Sequence, residues 1–130
     1  MAAVRSPRPD LVAYEHATRA EFPVAVKELE AILGAKLVAY IAGVTETRAV
    51  REWAEGTREA REPVPQRLRV ALRLARMICD ADGPEIAQAW FAGLNPQLDD
   101  RSPARLLREG ELDTVGPLVL SAARAFVVGG

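Results

Sequence analysis

At 130 residues, 49% hydrophobic and 27% charged, the chain is one ordinary domain or two very small ones packed together, with enough apolar material for a core. Aromatics make up only 5% and the rest of the apolar content is rich in Ala, Leu and Val, a mixture that favours helices over sheets. A single cysteine, Cys79, excludes an internal disulfide and a cysteine metal cluster, a lone histidine, His16, nearly excludes a histidine zinc site, and the net charge of −1 hides eight arginines against four glutamates in residues 48–79 and four arginines against eight acids in residues 80–130.

Taken in chain order, residues 1–9, with Pro7 and Pro9, read as a mobile arm, and Asp10 caps a short helix to about Ala20 carrying Leu11, Val12 and Tyr14. Pro23 opens a second helix, 23–33, whose Val26, Leu29, Ile32 and Leu33 recur at helical spacing before Gly34 stops it. A short helix is expected over Ala35 to Ala42, with Leu37, Val38 and Ile41 inward, ending at Gly43. Thr45 or Thr47 is the expected cap of the next, which carries Val50 and Trp53 and ends at Gly56.

Thr57 to Pro65 reads as a loop because Pro63 and Pro65 bar a helix interior. From Gln66 to about Asp80, Leu68, Leu72 and Ala75, with Val70, Leu74, Met77 and Ile78, mark a longer central helix, apolar over a wide arc. Asp82-Gly83-Pro84 turns into a helix over 84–92 with Ile86, Ala89 and Trp90 inward, and Asn95-Pro96 breaks the chain again. Ser102-Pro103 is a hydroxyl cap followed by a first-turn proline, starting a helix to Arg108 that Gly110 ends. The last helix starts near Leu112, carries Val115, Leu118, Val119 and Ala122, and leads to an apolar tail, Phe126-Val127-Val128-Gly129-Gly130. Met1 to Phe22 holds no sustained apolar run, and the longest such run, Leu37 to Val44, is too short to span a bilayer, so a cytoplasmic protein with no membrane partner is expected.

Catalytic signals are close to absent: there is no Gly-rich phosphate loop, no Cys–His pair and no metal-ligand spacing. Glu28/Glu30 and Asp99/Asp100 do not share a helical face and read as solvated charge; Cys79 reads as a buried small hydrophobe and His16 as surface. No enzyme, metal or cofactor is expected. The informative stretch is Lys36 to Gly56, two short helices about a Gly-Val turn, which is the helix-turn-helix pattern. Its second helix would offer Thr45, Thr47, Arg48 and Arg51 to base edges and phosphates, with Arg58, Arg61, Arg67 and Arg69 following to hold the backbone. A plain helical hairpin with solvated charges competes with that reading, supported by Glu46, Glu52, Glu55, Glu59 and Glu62, which repel DNA. The uncharged tail is suited to plugging a partner's cavity, or else it folds back on its own core or frays; the residues leave both open.

The run W-F-A-G-L-N-P-Q-L-D-D-R-S-P-A-R-L-L-R-E-G-E-L-D-T-V, Trp90 to Val115, resembles the toxin-binding domain of the Xre/MbcA/ParS antitoxins. V-R-E-W-A-E-G, Val50 to Gly56, and V-P-Q-R-L, Val64 to Leu68, fit that family's helix-turn-helix and connector, while residues 1–22 have no counterpart in it. The resemblance implies an all-α chain: an arm and short helix over 1–22, a helix-turn-helix-like, Xre-like unit over 23–80, and a toxin-binding unit over 81–130 packed against it. It further implies a type II toxin–antitoxin system whose RES-domain toxin consumes NAD⁺, with the antitoxin's C-terminal end covering the NAD⁺ pocket. Carried onto this sequence, the blocking group is Arg124, Phe126, Val127, Val128, Gly129 and Gly130. A homodimer and operator DNA, held through Thr45, Thr47, Arg48, Arg51 and Arg58, are the other implied partners; the alternative is a stand-alone helix-turn-helix transcriptional regulator.

Overall fold

Val26, Leu29 and Leu33 stand three and four residues apart and are all buried, so the first helix turns one continuous stripe to the core. A computed structural model describes the backbone of residues 9–129 and the side chains of residues 21–129. The expected arm, the Asp10 cap, His16 and the apolar set Leu11, Val12 and Tyr14 lie outside the described residues or side chains. The described residues form seven α-helices: α1 (Pro9–Leu33), α2 (Ala35–Ala42), α3 (Thr47–Glu55), α4 (Val64–Asp82), α5 (Pro84–Ala92), α6 (Pro103–Glu109) and α7 (Leu112–Gly129), plus a 3-10 turn at Pro96–Leu98. The fold is all-α.

The two helices expected over 10–20 and 23–33 are one. α1 runs through Pro23, although an interior proline removes one backbone hydrogen bond and costs about 3 kcal/mol in isolation. Packing offsets that cost: Phe22 and Val26 on either side are buried, the Phe22 ring meets Trp53 edge-on at 6.4 Å, and the Pro23 ring lies against the end of α3 at Gly56.

α4 is the central helix, packed against α1, α2, α5, α6 and α7 and burying Leu68, Ala71, Leu72, Leu74, Ala75 and Ile78. It begins at Val64, two residues before the expected start, because Pro65 sits in the first turn, where its missing N–H has no partner to lose. The helix expected to be capped by Thr45 or Thr47 is capped by neither: Glu46 is the N-cap residue of α3, in an extended conformation, and no side chain bonds to the first turn.

α5 has the expected bounds but a different inward face. Ala87, Trp90 and Phe91 are buried, whereas Ile86 is 41% exposed and Ala89 is exposed too. Contact with α1, α4 and α6 selects the 87/90/91 stripe and leaves the 86/89 side uncovered. α7 buries Val115, Val119, Ala122 and Ala123 but leaves Leu118 half in solvent, and it continues through Phe126 to Gly129 instead of ending in a separate tail. By length and composition it is the one described helix apolar enough to cross a bilayer, with a mean hydropathy of 1.4; Asp113 and Arg124 interrupt it, and one of its faces packs on α4 and α6.

One apolar cluster runs through all seven helices, and the expected divisions at 22/23 and 80/81 fall inside α1 and α4. Cys79 is half-buried against that cluster with a free thiol. Arginines tie the helices together: Arg76 of α4 grips Glu28 of α1 through its Nε and Nη2. Arg67 of α4 and Arg108 of α6 donate to the α2 carbonyls of Ala42, at 2.8 Å, and Tyr40, at 2.7 Å.

Candidate functional site

Two surfaces collect the residues singled out in the sequence. The first lies where the end of α7 meets α5. Between α5 and α6 the chain makes a compact loop: the Asn95 side chain accepts from the Gln97 N–H at 2.9 Å, Asn95 and Arg101 pair as an isolated antiparallel bridge, and Asp99 and Asp100 take left-handed backbone angles. The loop drives Leu98 into the core and turns Leu94 outward, 75% exposed. Ser102 then caps α6, as expected, accepting from the Arg105 N–H at 3.1 Å, and Pro103 is buried at its first position.

The result is an open, largely apolar groove of about 640 Å³ lined by Ile86, Ala89, Trp90, Leu94, Pro96 and Phe126, among others. Phe126 is half-buried, with its ring 6.4 Å from that of Trp90, which in turn meets Phe91 edge-on at 5.2 Å. The Trp90 indole N–H is buried without a hydrogen-bond partner. Val127 is half-buried against the core, Val128 is 88% exposed, and Arg124 and Gly129 are exposed; Gly130 lies outside the described residues. The C-terminal group named from the sequence is therefore mixed. Phe126 and Val127 hold α7 down, and Arg124 and Val128 face solvent.

The second surface is a cleft of about 650 Å³ bounded by α2, the 43–46 turn, α3 and α6. Thr45, Thr47, Arg48 and Arg51 all line it. Arg58 does not; it donates to Glu52 at 2.8 Å, and the same carboxylate accepts from Arg48 at 3.0 Å. Hydrogen bonding from Arg48, then from Arg58, holds the Glu52 carboxyl below its ordinary pKa against the opposing pull of desolvation. Glu52 thus spends its charge on two arginines, so the glutamate content of this stretch is partly neutralised from within.

Three cleft residues escaped the sequence reading. Lys36 and Tyr40 stand four apart on α2, a spacing that could have paired them with the α3 face. Arg108 reaches the cleft from α6, 68 positions beyond Tyr40, and no local pattern announces it. Among the described residues no cluster of His, Cys, Asp and Glu has the makings of a metal site.

No family model matches the sequence, and no curated protein matches it. Among solved structures, it is similar to a chain of the crystal structure of the M. tuberculosis MbcT–MbcA toxin–antitoxin complex, at 26% identity and a TM-score of 0.62. The alignment covers 79% of this chain and 94% of that one. The likeness supports an antitoxin role and is consistent with a chain of the MbcA type.

Proposed function

We propose that this chain is the antitoxin of a type II pair, neutralising a RES-domain, NAD⁺-consuming toxin by direct contact through the C-terminal end of α7. The observation that carries the reading is the fold likeness to a toxin–antitoxin complex over nearly the whole of the matched chain. The surface supports it, because the end of α7 is apolar and poorly covered beside a groove that is apolar as well. The antitoxin works by occlusion: Arg124, Val128, Gly129 and Gly130 obstruct the toxin's nucleotide pocket, while Phe126 and Val127 anchor the element that carries them. No chemistry by the antitoxin is required. The pair belongs to the cytoplasm, and the antitoxin acts there as a homodimer without a membrane partner.

Co-expression with the RES-domain product of a neighbouring reading frame tests this. The wild-type chain rescues growth and copurifies with the toxin; removing residues 128–130, which leaves the Phe126 and Val127 anchors in place, abolishes both. Full protection by the truncated chain would sink the reading.

A second reading, DNA binding by the α2–turn–α3 unit, as operator autorepression or as a stand-alone helix-turn-helix regulator, is favoured by the cleft in which Arg48 and Arg51 stand with Thr45 and Thr47. Arg58, held by Glu52, contributes to that face from its edge.

A further inference from the structure

We propose that the cleft between α2, α3 and α6 is a site for the phosphodiester backbone of duplex DNA, in which Lys36 and Arg108, neither of them on α3, share the phosphate contacts with Arg48 and Arg51. The inference rests on the DNA-binding reading above and extends its footprint into the C-terminal half of the chain.

Charge is the first observation. Four cationic side chains, Lys36, Arg48, Arg51 and Arg108, line the cleft against one carboxylate, Glu46. Arg48 is offset by Glu52, but Lys36, Arg51 and Arg108 have no carboxylate partner among the described residues. Thr45 and Thr47 add exposed hydroxyls, which donate to phosphate oxygens.

The second observation is how Arg108 is held. Its guanidinium lies 4.7 Å from the centre of the Tyr40 ring and donates one N–H to the Tyr40 carbonyl at 2.7 Å. A guanidinium carries five N–H donors, so this fixes its position while leaving others for a ligand. Its neighbour Arg67 bonds the Ala42 carbonyl of the same helix end with Nη1, and its buried Nε has no partner. Burial, and next the nearby charge of Arg108, push the Arg67 pKa down. Two guanidiniums stand at one helix end, neither ion-paired to a carboxylate among the described residues, and an anion bound at Arg108 eases their repulsion.

The third is the helix entry. α3 starts with no side-chain cap on its first turn, and its first residues line the cleft, so the positive end of the helix dipole adds to the side-chain charge. The cations come from three helices and surround an open groove; they do not close a cage. That arrangement suits a rod of repeated charges better than a single small anion.

The test is fluorescence anisotropy of the full chain with a labelled duplex of about two helical turns taken from the DNA upstream of its own reading frame, across a salt series. Lys36→Gln and Arg108→Gln should each weaken binding and reduce the slope of log affinity against log salt by about one. Arg108→Lys, which keeps the charge, should keep the slope, and Arg73→Gln, on the α1-facing side of α4, should change nothing. Circular dichroism melting shows whether each variant folds, and Lys36→Gln changes an exposed side chain that makes no hydrogen bond or ion pair among the described residues. A duplex that binds with slopes unchanged in both Gln variants overturns the inference and leaves the DNA reading standing. No duplex binding by the wild type overturns both. Competition by a nucleoside monophosphate as effective as by the duplex assigns the cleft to a small phosphate and overturns the choice of DNA.

Discussion

Gly110 shows how little freedom the turn between α6 and α7 has. A Cβ there would stand 2.4 Å from Cγ1 of Val115 and 2.9 Å from the Leu106 carbonyl, so the two helices meet closely only because the side chain is missing. Gly110→Ala is expected to destabilise the fold by about 1–3 kcal/mol, seen as a lower urea midpoint with an unchanged slope. Glu28 carries a smaller, pH-dependent effect. Hydrogen bonding from Arg76 holds its carboxyl below the ordinary 4.5, against a weaker desolvation push. A carboxylate depressed in the folded state adds stability that is fully present above its unfolded value and lost as pH falls through the folded one. Both partners are well exposed, so screening limits the pair to a fraction of about 1 kcal/mol. Glu28→Gln should therefore cost little at neutral pH and make the loss of stability below pH 4.5 shallower, measured by thermal melting in an acid series.

Among the elements, α6 and α7 separate what the sequence made legible from what it did not. Ser102-Pro103 announced the start of α6 because a cap and a first-turn proline are local chemistry, and the stop at Gly110 is legible for the same reason. The continuity of α1 through Pro23 was not legible, since it depends on Phe22 reaching Trp53 and on Pro23 lying against Gly56, contacts made across 30 residues or more. The inward face of α5 was also hidden: Ile86 and Ala89 are apolar at helical spacing, and only the placement of α1, α4 and α6 decides that Ala87 and Phe91 win. In the candidate sites, Arg48 and Arg51 could be found from one helix, but Arg108 could not, because its link to Tyr40 is tertiary. α7 itself gives a paired prediction. Phe126→Ala removes the Trp90 contact and should cost about 1–3 kcal/mol. Val128→Asp, at an exposed position, should stay within about 0.5 kcal/mol in a melt yet abolish toxin capture in a pull-down.

At the scale of the whole molecule, a single core joins the α2–α3 unit to the C-terminal helices, and Arg67 and Arg108 tie α4 and α6 to the end of α2. The two candidate surfaces therefore belong to one folded body, the apolar one at the α5–α7 end and the cationic one at α2–α3. The division does not follow the uneven charge of the sequence: the cleft draws Lys36 and Arg108 from outside the basic residues 48–79, and no acid of residues 80–130 lines the groove. Obstruction of a toxin needs only the first surface. For the RES-domain toxin proposed as partner, the direct measure is its NAD⁺ consumption as this chain is titrated in. The expected result is arrest at a stoichiometric amount of wild-type chain and continued consumption with the folded Val128→Asp variant. NAD⁺ loss that persists at saturating wild-type chain, or equal arrest by Val128→Asp, would contradict obstruction by the end of α7.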